Sequence, residues 1–265
     1  MKKIRKLLLV LNIGGWRRIF PILKSFIPYL RRINNYRLYQ AHFIGKTGLE
    51  IGGPSKIFKR GSILPIYPIV KSLDGCNYAG ETIWEGRIDQ GATYYFDRSK
   101  AKGDQYIREA TDLSGISSGK YEYVISAHCL EHIANPLKAL KEWLRVLKQG
   151  GILLLVLPDK NMTFDRKRGT TSFEHLLNDY KDDIGENDTT HVDEVIASHD
   201  LRLDHQLGGR RELVERLGKN VLTRSMHHHV FDRGLLMQIF KYLNLKVLSV
   251  DFAEPEHIII LGQKL

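Results

Sequence analysis

The stretch from Tyr121 to Pro158 constrains the fold more than any other part of the chain. Tyr121-Glu-Tyr-Val-Ile-Ser126 has the aromatic and β-branched composition of a strand. Asn135-Pro136 then supplies a helix N-cap with proline at the first helical position. Leu137, Leu140, Trp143 or Leu144, and Leu147 recur at helical spacing. Gly150-Gly151 stops that helix. The following Ile152-Leu-Leu-Leu-Val-Leu157 is apolar without alternation, as a strand covered on both faces must be. Strand, helix, glycine pair and buried strand make a βαβ crossover, which sets the two strands parallel. The chain is therefore α/β.

Other elements fit around this unit. Gly48 to Ser55 reads as a short buried strand running into a glycine turn, and Ser55 to Arg60 as a short helix. A second strand is expected over Pro68 to Asp74, ending on a carboxylate. Gly75 to Lys102 is turn-rich, with an extra strand at Tyr94 to Asp97, and Gln105 to Ala110 is a third short strand. Beyond Pro158 lies a polar, His-rich segment, Asp159 to His229. Asp232 caps a helix over Leu235 to Leu243, and Leu245 to Phe252 and His257 to Leu261 form two closing strands. No repeat or low-complexity tract divides the 265 residues, so we expect one domain over 47–265, with an insertion at about 160–230 and an arm at 1–46.

Charge separates arm from domain. The net charge is +10, yet residues 1–46 hold 11 Lys/Arg and no Asp/Glu. The remainder, with 29 Lys/Arg against 30 Asp/Glu, is neutral, which argues against nucleic acid as a partner. The arm interleaves its charges with Trp16, Ile19, Phe20, Phe26, Ile27 and Tyr29. Its apolar run is too short to span a bilayer and lacks a clean signal-peptide cleavage site. Residues 1–40 suit an interfacial helix on an anionic membrane face, and equally a helical cap packed on the domain. Two cysteines, Cys76 and Cys129, make no disulfide framework, which suits a cytoplasmic protein, with the inner membrane face as the arm's partner.

In an open parallel sheet, ligands bind beyond the carboxyl ends of the strands. The chemistry-bearing residues fall there: Gly52-Gly53, Asp74, Asp112, His128 to His132, and Asp159-Lys160. A glycine turn lets backbone approach a nucleotide-like cofactor, and a carboxylate about 20 residues on can accept the ribose hydroxyls. Asp74 has that spacing; Asp97, inside the turn-rich segment, competes with it. Ala127-His-Cys-Leu-Glu-His132 also contains H-x-x-E-H, an inverted zinc-peptidase pattern. That reading needs both histidines on one stable helix, whereas here a strand enters directly and the helix opens only after His132. The flanks thus favour a strand-end ligand site, with no metal predicted there.

Leu49-Glu-Ile-Gly-Gly53, Ala110-Thr-Asp-Leu113, Tyr123 through Ile133 and Leu144 through Pro158 resemble class I S-adenosylmethionine-dependent methyltransferases, most closely the large "type 11" group. The resemblance covers roughly residues 48–160 plus the last helix and hairpin. It implies a Rossmann-like, seven-stranded, mostly parallel sheet with a C-terminal antiparallel hairpin, and S-adenosylmethionine as cofactor. It further implies that Glu50, Gly52 and Gly53 shape the methionine pocket, and that Asp74 or Asp97 holds the ribose. Asp112 and Leu113 would frame the adenine, and Ala127, His128 and their neighbours would line the transfer centre. Gly52-Gly53-Pro54 differs from the family's usual Gly-x-Gly.

The His-rich segment is expected to cover the site mouth. Its histidines, among them His191, His199, His205 and the run His227-His228-His229, could supply a general base, hold a divalent metal on a diol, bind an anion, or be solvated loop residues. As catalytic candidates we take His128, His228 and, from Thr163-Phe-Asp-Arg166, Asp165. Nothing in the core specifies the acceptor, since methyl transfer needs little beyond an in-line nucleophile. Gly-Gly-Pro-Ser, Cys-Leu-Glu-His and the late His-His-His resemble methyltransferases of bacterial surface-glycan pathways. That resemblance and the basic arm imply O-methylation of a sugar or glycan acceptor, lipid-linked or free. A small lipophilic, quinone-like metabolite and a non-catalytic binding module remain the alternatives.

Overall fold

The computed structural model describes residues 32–204, 207–253 and 256–265. The amphipathic reading of residues 1–31, and His205, lie outside the described residues. In chain order the elements are α1 (Tyr36–Phe43), β1 (Thr47–Ile51), β2 (Ser72–Asn77), a ribbon of β3 (Glu81–Thr82) and β4 (Gly86–Arg87), β5 (Gly91–Tyr94), β6 (Gly103–Ile107), β7 (Tyr121–Ala127), α2 (Pro136–Val146) and β8 (Leu147–Pro158). Then follow α3 (Phe173–Lys181), α4 (Val192–Ser198), α5 (Arg210–Leu217), α6 (Asn220–Thr223), α7 (Arg233–Tyr242), β9 (Leu245–Ala253) and β10 (His257–Lys264).

One sheet runs β5-β6-β2-β1-β7-β8-β10-β9. Strands β6, β2, β1, β7 and β8 are parallel, and β10 lies antiparallel between β8 and β9. The sheet thus has eight strands rather than the seven expected. The addition is β5, which pairs antiparallel with β6. Its anchor is Tyr94, whose ring fills the space a side chain at Gly75 would need, 2.2 Å from the position of a Cβ there. The predicted extra strand therefore exists, but ends at Tyr94 instead of starting there.

The predicted crossover forms with one correction: α2 ends at Val146, and Leu147 and Gly150-Gly151 lie inside β8 instead of closing the helix. Asn135 Oδ1 accepts the Lys138 amide at 3.1 Å, capping α2 with Pro136 as its first residue. Alternate residues of β8 feed opposite cores: Leu153, Leu155 and Leu157 pack with α2 and α7, while Ile152, Leu154 and Val156 pack with α1. Each fully buried Leu or Ile contributes about 1.5–3 kcal/mol. Helix α1 belongs to the domain, since Tyr39 and Phe43 are fully buried and the Tyr39 hydroxyl donates to Asp251 at 2.7 Å. The expected arm thus gives up its last turns to the fold. Among the described residues no helix is long and apolar enough to cross a membrane.

Trp143 couples this core to the site. It is fully buried, and its indole N–H donates to the Ala110 carbonyl, on the loop after β6, at 2.9 Å. Trp143→Ala is expected to destabilise the domain by about 3–5 kcal/mol, a drop in Tm on the order of 10 °C by calorimetry. An unchanged Tm would contradict this account of the core.

Candidate active site

The strand ends converge on an open cleft of about 920 Å³. Its floor is the turn after β1. Gly52 has φ +79, and a Cβ there would lie 2.8 Å from the Cys129 sulfur. A Cβ on Gly53 would lie 2.2 Å from the Glu50 carboxyl carbon. Both positions thus need glycine, and the backbone stays bare toward the cleft. Glu50 itself does not line the cleft. Fully buried, it accepts hydrogen bonds from the Ser55 amide at 3.0 Å and from the Tyr67 and Tyr94 hydroxyls at 2.6 Å each. It holds the turn from beneath.

The acids expected on the next two strand ends are placed otherwise. The second strand covers Ser72–Asn77, because Leu64, Ile66, Tyr67 and Val70 pack into the core as a loop before it. Asp74 therefore sits in the strand's first half and bonds the Tyr121 hydroxyl, Lys120 and the Asp104 amide, all at the amino ends of their strands. This corrects its expected place at the ribose. Asp97 caps a turn through the Ser99 amide and hydroxyl and does not reach the cleft either. The residue at the carboxyl end of β2 is Asn77, which lines the cleft and donates to the Gly53 carbonyl at 3.0 Å. After β6 the acid in the cleft wall is Glu109, paired with Arg224 at 2.7 Å. Asp112 is exposed and closes a turn onto the Ser114 amide, and Leu113 is buried in the core. Asn77 and Glu109 were missed because a two- or three-residue shift in strand ends changes which side chain is presented.

Ala127, His128 and Cys129 line the cleft at the end of β7. His128 has φ +52, and its Nε2 lies 2.8 Å from His257 Nδ1. Solvent reaches its ring edge, with 36% of the side chain exposed, but protein surrounds the rest. Burial pushes its pKa down to about 4, so it stays neutral at working pH. Leu130–His132 is a single 3-10 turn, so the H-x-x-E-H residues do not form the helix a zinc peptidase needs. His132 Nδ1 donates to the Met226 carbonyl at 3.0 Å, and the Glu131 carbonyl accepts from the His228 amide at 2.8 Å. The Glu131 carboxylate lines the cleft, buried, with neither oxygen hydrogen-bonded. Burial raises its pKa.

Residues 226–229 bring the late histidines to the site, and each of the three points elsewhere. His227 faces the cleft, and its Nδ1 meets Asp165 Oδ2 at 2.5 Å. Arg168 braces the pair, donating to Asp165 Oδ1 at 3.0 Å and to the His227 carbonyl at 2.8 Å. Burial alone would lower the His227 pKa, but the Asp165 charge and hydrogen bond outweigh it, so it is raised. His228, taken above as a catalytic candidate, is fully buried outside the cleft with its Nε2 at 3.2 Å from Asn220. The packing of this stretch puts His227, not His228, in the site. His229 points away from the cleft, toward α3 and the start of α4.

The chain matches the family described as "Methyltransferase domain" over residues 37–250 and belongs to it. S-adenosylmethionine is its cofactor. Similar solved structures include an S-adenosylmethionine-dependent methyltransferase from Mesorhizobium loti, 10% identical with a TM-score of 0.49, covering 87% of this chain and 96% of that one. Another is from Aquifex aeolicus, 12% identical with a TM-score of 0.47, covering 92% and 98%. No curated protein matches the sequence significantly. The residues present fit the cofactor: a glycine cradle a side chain would fill, an amide at the end of β2, and an acid after β6, all on one cleft. Gly52, Asn77, Glu109 and Ala127 to Cys129 are the residues that would hold it.

Proposed function

We propose that this methyltransferase transfers a methyl group to a hydroxyl oxygen of a sugar, with His227 as general base. The observation that carries this reading is the Asp165–His227 pair on the cleft wall. Asp165 fixes the Nδ1–H tautomer and leaves Nε2 to take a proton. Bound here, S-adenosylmethionine supplies an electrophilic methyl on a sulfonium, and the protein must orient a nucleophile in line and remove its proton. A hydroxyl, unlike an amine, has no free lone pair of comparable strength and gains from such a base. The Glu131 carboxylate, free of hydrogen bonds and 3.7 Å from His128 Nδ1, offers a second acceptor, suited to a neighbouring hydroxyl of a polyol. The segment after β8 contributes Thr163, Phe164, Leu203 and Asp204 to the lining, which supports its role as a cover that sets acceptor choice. The basic arm supports an acceptor carried at an anionic membrane face, lipid-linked glycans included.

The test is incubation of the protein and S-adenosylmethionine with nucleotide-linked sugars, lipid-linked sugars and quinone precursors, with products read by mass spectrometry. An O-methylated sugar is expected. Methylation of the quinone precursor alone, or of nitrogen, would replace the sugar reading. Cofactor binding without turnover on any acceptor would favour a non-catalytic module.

A further inference from the structure

Outside the cleft, three histidines converge that the reaction does not use. His175 lies on α3, His191 just before α4, and His229 on the stretch that also carries His227. Each offers a ring nitrogen, and these nitrogens lie within 4.8 Å of one another. His175 Nε2 is 3.1 Å from His191 Nε2 and 3.4 Å from Asp179 Oδ2, one helical turn on. In a tetrahedral site with metal–ligand bonds of about 2.0–2.1 Å, ligand atoms sit about 3.3–3.4 Å apart. The observed spacings straddle that value.

Two buried atoms have no hydrogen-bond partner here, Asp179 Oδ2 and His229 Nδ1. His229 is only 1% exposed and donates Nε2–H to the Ala134 carbonyl at 3.0 Å, which leaves Nδ1 as a bare lone pair. A ring N–H fixed on a backbone carbonyl, with the other nitrogen free, is how a metal-bound imidazole is oriented. His191 has the matching second contact, Nδ1 at 3.6 Å from Glu194. A second set, Glu131, His132 and His227, lines the cleft itself, where His227 is assigned to the reaction, so it is not an independent site.

We propose that His175, His191 and His229 form a structural zinc site, with the Asp179 carboxylate, 3.4 Å from His175, turning in as fourth ligand. Three imidazoles and a carboxylate suit Zn²⁺ among common cations, and four protein ligands make a closed, non-catalytic site. The ion would tie α3, the start of α4 and the 226–229 stretch into one unit. Because His229 and His227 share that stretch, metal at the first would hold the second in the cleft.

Tag-free, chelator-dialysed protein titrated with Zn²⁺ should take up one tight equivalent. Its Co²⁺ form should give the intense visible bands of a four-coordinate ion. In a His175→Gln/His191→Gln variant, affinity should fall at least about 100-fold with S-adenosylmethionine binding retained, as losing ligands exceeds the 10–100-fold cost of losing an outer-shell partner. His132→Gln should keep full metal affinity. X-ray absorption on the zinc-loaded wild-type protein, which needs no variant to fold, should count three imidazoles and one oxygen. Absence of tight binding, an octahedral cobalt spectrum, fewer than two imidazoles, or affinity lost in His132→Gln but kept in the double variant would overturn the site.

Discussion

His227→Ala is expected to lower turnover about 10²–10⁴-fold, the range lost with a general base, while S-adenosylmethionine binding stays unchanged. The base must be neutral to accept a proton, so activity appears as pH rises through the His227 pKa. Asp165 raises that pKa above the ordinary histidine value, so the ascending limb of kcat/KM should lie above about 6.5. Asp165→Asn keeps the shape and removes the charge. Its limb should move to lower pH and its maximal rate should fall, because the amide can also present its NH₂ to Nδ1 and select the wrong tautomer. The competing base, His128, is already pushed down to about 4 and would place the limb there instead. A profile that Asp165→Asn leaves unmoved would remove His227 from the reaction. The same pair affects folding. A His pKa raised by folding contributes stability that is fully present below about pH 6.5 and lost as pH rises through the folded value.

How much of this was legible in the sequence depended on the kind of signal. The Tyr121–Pro158 crossover was readable because cap, period and buried strand agree at every level. The closing hairpin was readable for the same reason. The glycine turn was readable as a backbone requirement, and the structure gives it a cause in Glu50 and Cys129. The β2 boundary was not readable, because Pro68 to Val70 is apolar through loop packing rather than pairing. That three-residue shift moved Asp74 to the far end of the sheet and hid Asn77. In the histidine run, composition announced chemistry, but which of three neighbours faces the cleft is set by tertiary packing that no local period encodes. Asp165 was chosen as a catalytic candidate, and its bond to His227 Nδ1 suits it to positioning that ring.

Glu50→Ala should be the most damaging change in the cofactor half of the cleft, though Glu50 does not line it. Truncation leaves the Tyr67 and Tyr94 hydroxyls buried without their acceptor, each at about 1–3 kcal/mol, and the Ser55 amide with only the Tyr67 oxygen at 2.6 Å. The Tyr67 hydroxyl that still accepts from the amide is itself anchored by Glu50, so the whole cluster loosens together. The Gly52–Ser55 backbone then loses its support, and S-adenosylmethionine affinity should fall about 100-fold or more, equivalent to about 2.7 kcal/mol. Glu50→Gln separates shape from charge. Burial, the largest influence, raises the Glu50 pKa despite three hydrogen bonds that lower it. A carboxyl whose pKa is raised by folding destabilises the fold as pH climbs from the unfolded value of about 4.3 to the folded one. The amide carries no such penalty. Glu50→Gln should therefore keep a near-wild-type Tm at neutral pH and flatten the acid side of the stability profile, with affinity falling far less than in the alanine variant. Wild-type cofactor affinity in Glu50→Ala would mean that the bond from Asn77 to the Gly53 carbonyl holds the turn on its own.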